Sequence, residues 1–254
     1  ICHNVRPHEQ GRLSRWLLPP TLKWVLGRGD GFIVHSQADE AILRLHLPGA
    51  RIIVSPHPTY AALGEHPQQQ LPIPLPTDCP LLLFCGLVRP YKGLDVLLDA
   101  VALLERPFHL LVAGEFWQGG YAEYQAQISN FGLTKSVTLV DAYLPNELLA
   151  AYIKRANVVV LPYRSATQSG MIQTAFGLGT PVITTHVGGL AEAVEDGRTG
   201  LVVPPENPQA LAEAINNYFD HHLDEMFREK IKEDNDRFSW SHFIRQIENV
   251  SNLD

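Results

Sequence analysis

Short apolar or β-branched runs alternate with helix-periodic segments along most of the chain. This is the pattern of βαβ units built around a parallel sheet. Strands are expected at residues 32–35, 51–54, 81–85, 109–113, 137–139, 158–161, 182–184 and 200–203. Helices are expected near 21–26, 37–45, 93–104, 121–131, 146–155, 168–178, 189–195 and 208–221.

The alternation stops between residues 58 and 80, where Pro67-Gln68-Gln69-Gln70 and Pro72-Ile73-Pro74-Leu75-Pro76 occur. Such sequence cannot build a packed sheet and reads as a linker. It separates residues 1–57 from a complete α/β domain at 81–225, of about 140 residues. The first piece holds too few strands for an independent domain and is expected to be the tail end of one, since the chain opens at Ile1 inside a strand-like run without an initiator Met. Residues 226–254 begin highly charged and then carry Phe238, Trp240, Phe243, Ile244, Ile247 and Val250. From Trp240 onward the spacing is helical, so an amphipathic helix is expected to dock on either domain.

The 254 residues, 45% of them hydrophobic, with 19 Gly and 19 Pro, suffice for a large core and more than one compact unit. A net charge of -7 argues against non-specific nucleic-acid binding. The first 60 residues reverse the sign, with seven Arg/Lys against four Asp/Glu, so any basic surface is local. Cys2, Cys79 and Cys85 are too few and too irregularly spaced for a disulfide framework or a zinc site, which fits a reducing, cytoplasmic compartment. There is no apolar run of membrane-spanning length.

Two segments suit an anion. In the first, Ser165-Ala166-Thr167-Gln168-Ser169-Gly170 opens a helix that ends at Gly179-Thr180-Pro181. A hydroxyl-rich turn with a glycine leaves backbone N–H groups of the helix start exposed at its positive end. The same residues also start helices that bind nothing. In the second, the strand ending Phe84-Cys85 runs into Gly86-Leu87-Val88-Arg89-Pro90-Tyr91-Lys92-Gly93. Loops at carboxyl ends of parallel strands form the ligand crevice of open α/β sheets, and Arg89 with Lys92 offers a planar fork and a point charge suited to a diphosphate. A solvated basic loop is the bland alternative. Gly114-Glu115 supplies a third loop, where Gly114 permits close approach to the backbone. Asp141-Ala142-Tyr143 supplies a fourth, where Tyr143 either lines a base or ribose pocket or simply packs. Glycine-rich dinucleotide and Walker-type loops are missing, as is any metal-ligand spacing.

With these segments in this order, the chain resembles the family 4 glycosyltransferases, α/β proteins of GT-B architecture that use nucleotide-diphosphate sugars. The resemblance runs from Cys2-His3-Asn4 through Asp30-Gly31-Phe32-Ile33-Val34-His35-Ser36, Gly86 to Gly93, and Tyr163 to Val182. It then continues through Gly188-Gly189-Leu190-Ala191-Glu192 to Asp196-Gly197-Arg198-Thr199-Gly200. It implies a complete C-terminal Rossmann-like domain that holds the nucleotide sugar, preceded by the tail end of an N-terminal, acceptor-side Rossmann-like domain. It implies no cofactor, no metal and retention of anomeric configuration. Lys92, with Arg89, grips the diphosphate; His3 faces the transferred sugar. Gly86, Gly114, Glu115, Tyr143, Gln168, Ser169, Gly170 and Thr174 line the donor site. The chain departs from the family where an Arg usually follows the loop glycine, here Leu87. It departs again at two glutamates with seven residues between them, whose places Ala166 and Thr174 occupy.

The leading expectation is a hexosyl transfer from a UDP- or GDP-sugar to a carbohydrate or lipid-linked acceptor in polysaccharide or glycoconjugate synthesis. The alternative is a nucleotide-sugar-binding or scaffold protein without transfer chemistry. A sugar-nucleotide 2-epimerase, with Glu115 or Glu192 as proton carrier, ranks last. Residues 12–28 combine Arg12, Arg15, Lys23 and Arg28 with Trp16 and Trp24, which suits either peripheral membrane contact or a partly buried helix.

Overall fold

The computed structural model describes residue 24 and residues 26–29, 31–65 and 71–251 of the chain. Among the described residues two sheets are formed, both parallel. β1 (Gly31–Val34) and β2 (Arg51–Val54) pair in the first. The second contains β3 (Leu81–Cys85), β4 (His109–Ala113), β5 (Val137–Val140), β6 (Val158–Leu161), β7 (Val182–Thr185) and β8 (Gly200–Val203), in the order β5-β4-β3-β6-β7-β8. The helices are α1 (Gln37–His46), α2 (Leu94–Val101), α3 (Tyr121–Asn130), α4 (Asn146–Arg155), α5 (Gly170–Gly177), α6 (Leu190–Ala193), α7 (Pro208–Asp220), α8 (Leu223–Glu233) and α9 (Trp240–Ser251).

The six-stranded sheet is buried on both faces, which is why its strands are apolar at successive positions. In β3 every residue is buried. Leu82 and Phe84 join Leu97 of α2 and Leu211 of α7 on one face. Leu81, Leu83 and Cys85 join Ile153 of α4 and Ile172 of α5 on the other. Each such leucine contributes about 2 kcal/mol by leaving water.

Strand order fixes where a ligand can sit. From β3 the chain winds outward to β4 and β5, then returns to place β6 on the opposite side of β3 and winds out again to β8. The crevice of a doubly wound sheet opens at that reversal, beyond the carboxyl ends of the two central strands. Here these strands are β3 and β6, and the loops that leave them carry Gly86 to Lys92 and Pro162 to Ser169.

Several segments differ from the sequence expectation. The helix expected over 168–178 begins at Gly170, with Ser169 as its N-cap, and the one over 93–104 stops at Val101. Residues 226–254 do not form one helix. α8 packs on the large sheet's unit through buried Phe227 and Ile231, a 3₁₀ turn at Asp234–Asp236 follows, and α9 then crosses to the small sheet. Arg228 anchors α8 by donating to Gly179 O (2.9 Å) and Ala156 O (2.9 Å). On the small sheet, Phe243 lies against His35 with ring centroids 5.7 Å apart, and Val250 covers Gly31. Among the described residues the proline-rich segment forms no sheet but is packed, with Leu71, Ile73 and Leu75 lying against the core on the α4 and α5 side of the sheet. Of the helix expected at 21–26 only Trp24 and Leu26 are described, both helical, and most of residues 12–28 lie outside the described residues. Within that stretch the Arg28 guanidinium stacks on the exposed Trp24 ring at 3.4 Å.

The chain thus passes between the two units twice. The passages touch, because Thr59 N–H donates to Phe238 O at 2.9 Å. A second tie joins the units at α1. Ser36 caps this helix, accepting from Asp39 N–H (3.0 Å), and the Glu192 carboxylate accepts from Gln37 N–H (2.6 Å) and Ala38 N–H (3.1 Å).

Candidate functional site

The loop after β3 turns at Gly86, whose φ of +91° is a conformation that glycine adopts without strain. A side chain there would meet Lys92 Nζ at 3.4 Å and Met171 Sδ of α5 at 3.6 Å. Gly114 at the end of β4 lies directly against Gly86 O, with no room for a side chain. Gly86, Gly114, Lys92 and the first turn of α5 therefore converge at the switch point.

Lys92 ends the 3₁₀ turn Pro90–Lys92 and is only 8% exposed. Its ammonium lies 5.6 Å from the centroid of the Tyr163 ring. Burial pushes its pKa down to about 8, the neighbouring Cys85 opposes this, and the positive charge of Arg89 adds to the fall. Burial in turn raises the Cys85 thiol to about 12, so this cysteine stays protonated. A buried ammonium without an ionised carboxylate among the groups that shift it is poised to receive an anion.

Arg89 is placed differently from a simple partner on the same anion. Val88 pairs with Phe116 as an isolated bridge, and the Arg89 guanidinium stacks over the Trp117 ring at 4.1 Å. Glu115 uses its backbone carbonyl to accept from Val88 N–H (2.8 Å), while its residue is exposed. Tyr143 is 72% exposed at the far end of this edge, beyond Asp141, which accepts from Phe116 N–H at 3.0 Å.

On the other side of the crevice, the Ser169 side chain makes no capping bond, and its buried Oγ lies beside the Tyr163 hydroxyl. Thr174 is buried, and its hydroxyl donates to Gly170 O at 2.8 Å within α5. Gln168, Ser169 and Gly170 border a cavity of about 420 Å³ that reaches the small-sheet unit. His35, His57, Gln173 and Glu192 also line it. Both imidazoles set Nδ1 against a carbonyl, His35 on Ser55 O (2.9 Å) and His57 on Pro58 O (2.8 Å), so Nδ1–H donates and Nε2 is the other ring position. Gln173 is 4% exposed, and its Oε1 lacks a protein partner. Neither histidine nor Gln173 was anticipated from sequence. A glutamine inside a helix carries no local signal, and the histidines gain meaning only when the two units meet.

The carboxylate of Glu192, weighed above as a proton carrier, caps α1 and also borders the cavity. His3 lies outside the described residues. Among the described residues no group of three or more His, Cys, Asp or Glu is placed to hold a metal ion, and no helix is long and apolar enough to cross a membrane.

Fold and crevice together define a doubly wound α/β protein of the GT-B kind, with a buried cation and a helix start facing each other at the switch point. The family described as glycosyl transferases group 1 matches residues 79–221, and the chain belongs to that family. It is 32% identical over 231 residues to a D-inositol 3-phosphate glycosyltransferase of Corynebacterium glutamicum strain R, covering 86% of this chain and 53% of that protein. The chain thus spans about half the length of the curated relatives it matches. Among solved structures, a sucrose-phosphate synthase from Thermosynechococcus elongatus superposes with a TM-score of 0.74 at 28% identity, over 91% of this chain and 59% of the other. The Anabaena protein HepE, solved in complex with UDP, superposes with a TM-score of 0.72 at 21% identity, over 89% and 64%.

Proposed function

We propose that this chain is the donor-binding part of a family 4 glycosyltransferase that moves a sugar from a nucleotide-diphosphate sugar to a hydroxyl of a carbohydrate or lipid-linked acceptor. The observation that carries this reading is the buried Lys92 ammonium beside Gly86 and the start of α5, at the switch point of the sheet. In this reading the diphosphate lies between Lys92 and the N–H groups of Ser169 and Gly170, with Arg89 reinforcing the positive field. The nucleoside extends past Gly114 and Glu115 toward Tyr143, with Thr174 on the ribose side. The transferred sugar enters the cavity, where Ser169 Oγ, Gln168 and Gln173 Oε1 meet its hydroxyls and His3 approaches from the first unit.

The bond between the anomeric carbon and the diphosphate oxygen breaks, and its electron pair stays on the phosphate. The acceptor oxygen bonds to the same carbon, with retention, and its proton passes to the leaving phosphate. Lys92 and the α5 dipole favour the charge that develops on the leaving group, an electrostatic contribution to catalysis. HepE was solved with UDP-glucose as well as UDP, which supports a uridine donor for this fold. Peripheral contact with an anionic membrane through residues 12–28 would bring a lipid-linked acceptor to the cleft.

Calorimetric titration of the chain with UDP, GDP and UDP-glucose, beside a Lys92→Ala/Arg89→Ala double variant, tests the donor site. Saturable binding that the double variant loses supports it. A folded protein that binds none of the three at millimolar concentration overturns it. A second reading, nucleotide-sugar binding without transfer, is favoured by Ala166 and Thr174 at the positions of the family's two glutamates. It requires that bound UDP-glucose never be converted to UDP, whatever acceptor is supplied.

A further inference from the structure

Arg164 stands in the loop that leaves β6, one residue before the hydroxyl-rich turn, and nearly all its bonds go to the opposite side of the crevice. Its backbone N–H donates to Tyr91 O at 2.8 Å. Its Nη1 donates to Pro90 O (2.7 Å) and to Asp95 Oδ1 (2.9 Å), and Nη2 donates to Asp95 Oδ2 (2.5 Å). Nε completes the fan on Glu206 Oε1 at 3.2 Å. Apart from Glu206, each partner belongs to residues 90–95, the segment that carries Lys92. Just beyond Lys92, Gly93 has a φ of +70° and lies so close to Pro162 O that a Cβ would overlap it. The two loops are therefore in backbone contact at one point and clamped by three guanidinium hydrogen bonds at another.

A surface ion pair contributes little, and a single one here would call for no function. This one is different in shape. A bidentate carboxylate, a carbonyl and a backbone amide all fix the same short segment from one residue, a task for which a planar guanidinium is suited and an ammonium is not. Asp95 is in the first turn of α2, where the helix dipole holds its carboxylate in place as well.

We propose that Arg164 is a positioning residue. It locks residues 90–95 to the loop before α5 and so holds Lys92 Nζ at the α5 N-terminus, keeping the two halves of one diphosphate site in register. The inference rests on the reading of this crevice as a diphosphate site. Arg164 itself stays behind the loop and does not touch the ligand.

Two readouts test this in the folded chain. The first needs no ligand: the pH midpoint for acetylation of Lys92, followed by peptide mass spectrometry, is expected near 8 in the wild type. In Arg164→Gln, and in Asp95→Asn should the first variant fold poorly, the midpoint moves toward the ordinary lysine value of 10.5. The second is the ratio of UDP to UMP affinity, which falls roughly tenfold in either variant while UMP binding stays within about twofold, since only the second phosphate depends on Lys92. Arg164→Lys, which keeps the charge without the fork, recovers only part of the ratio. An unchanged acetylation midpoint and an unchanged UDP/UMP ratio in a folded Arg164→Gln protein overturn the inference and leave Arg164 an ordinary ion pair. A wild type that binds UDP no better than UMP overturns the diphosphate reading instead, and the acetylation midpoint then decides the clamp on Lys92 alone.

Discussion

Lys92 is held in the folded protein at a cost to stability. Its pKa is near 8 when folded, against 10.5 for an ordinary lysine, so between these values the unfolded chain binds more protons. Unfolding free energy therefore rises with pH across that window, and the full penalty is present below about 8. Lys92→Met should stabilise the protein at neutral pH by on the order of 2 kcal/mol, seen as a later urea midpoint, while weakening UDP binding roughly tenfold or more. A ligand that requires the ammonium should also lose affinity as pH rises through about 8, by about tenfold per unit, in calorimetry across that range. Glu192 offers a separate check. Removing its carboxylate from the start of α1 in Glu192→Ala should lower stability by about 1 kcal/mol without changing UDP affinity. A fall in UDP affinity in that variant would mean that its carboxylate serves the ligand as well as the helix. That Lys92, Gly86 and Gly114 meet at one edge of the sheet was legible in the sequence because a strand, a glycine and a cation in succession are local signals. The capping role of Glu192 and the place of Gln173 were not, since their surroundings are supplied by residues far away along the chain.

Among the elements, the turn at Gly93 joins the Lys92 segment to α2 and is pressed against Pro162. Gly93→Ala forces a left-handed backbone on a residue with a side chain and pushes that side chain into a carbonyl. A loss of about 2 kcal/mol is expected, together with weaker UDP binding, by urea unfolding and calorimetry on the same variant. The strands could be read from the sequence to within one residue at either end, because a doubly covered strand is apolar throughout and bounded by turn residues. α8 could not. Its buried face consists of Leu223, Phe227 and Ile231, four apart but diluted among charged residues, so the segment looked like the approach to a single C-terminal helix. The proline-rich stretch hid its packing for a different reason. Leu71, Ile73 and Leu75 find their apolar surface on a core built from residues that follow them in the chain.

For the molecule as a whole, the sequence left open where the last helix would dock, and the answer ties the two units together. α9 covers the face of β1 that carries Gly31 and His35, while α1 covers the opposite face through Phe32 and Val34. A chain ended after Phe238 should keep the six-stranded unit intact and lose the small one. Limited proteolysis is expected to cut first within residues 31–56 of the shortened chain and to leave 71–238 resistant; equal resistance of both would show that α9 is dispensable. The covering of β1 by α9 has a further consequence for the order in which this protein is made. Residues 31–54 leave the ribosome before α9 but cannot bury the face that α9 covers until it has been translated, after the whole six-stranded unit. Until then that face is open to chaperones or to neighbouring nascent chains, and the closing of the small unit by α9 is a late step in the protein's assembly.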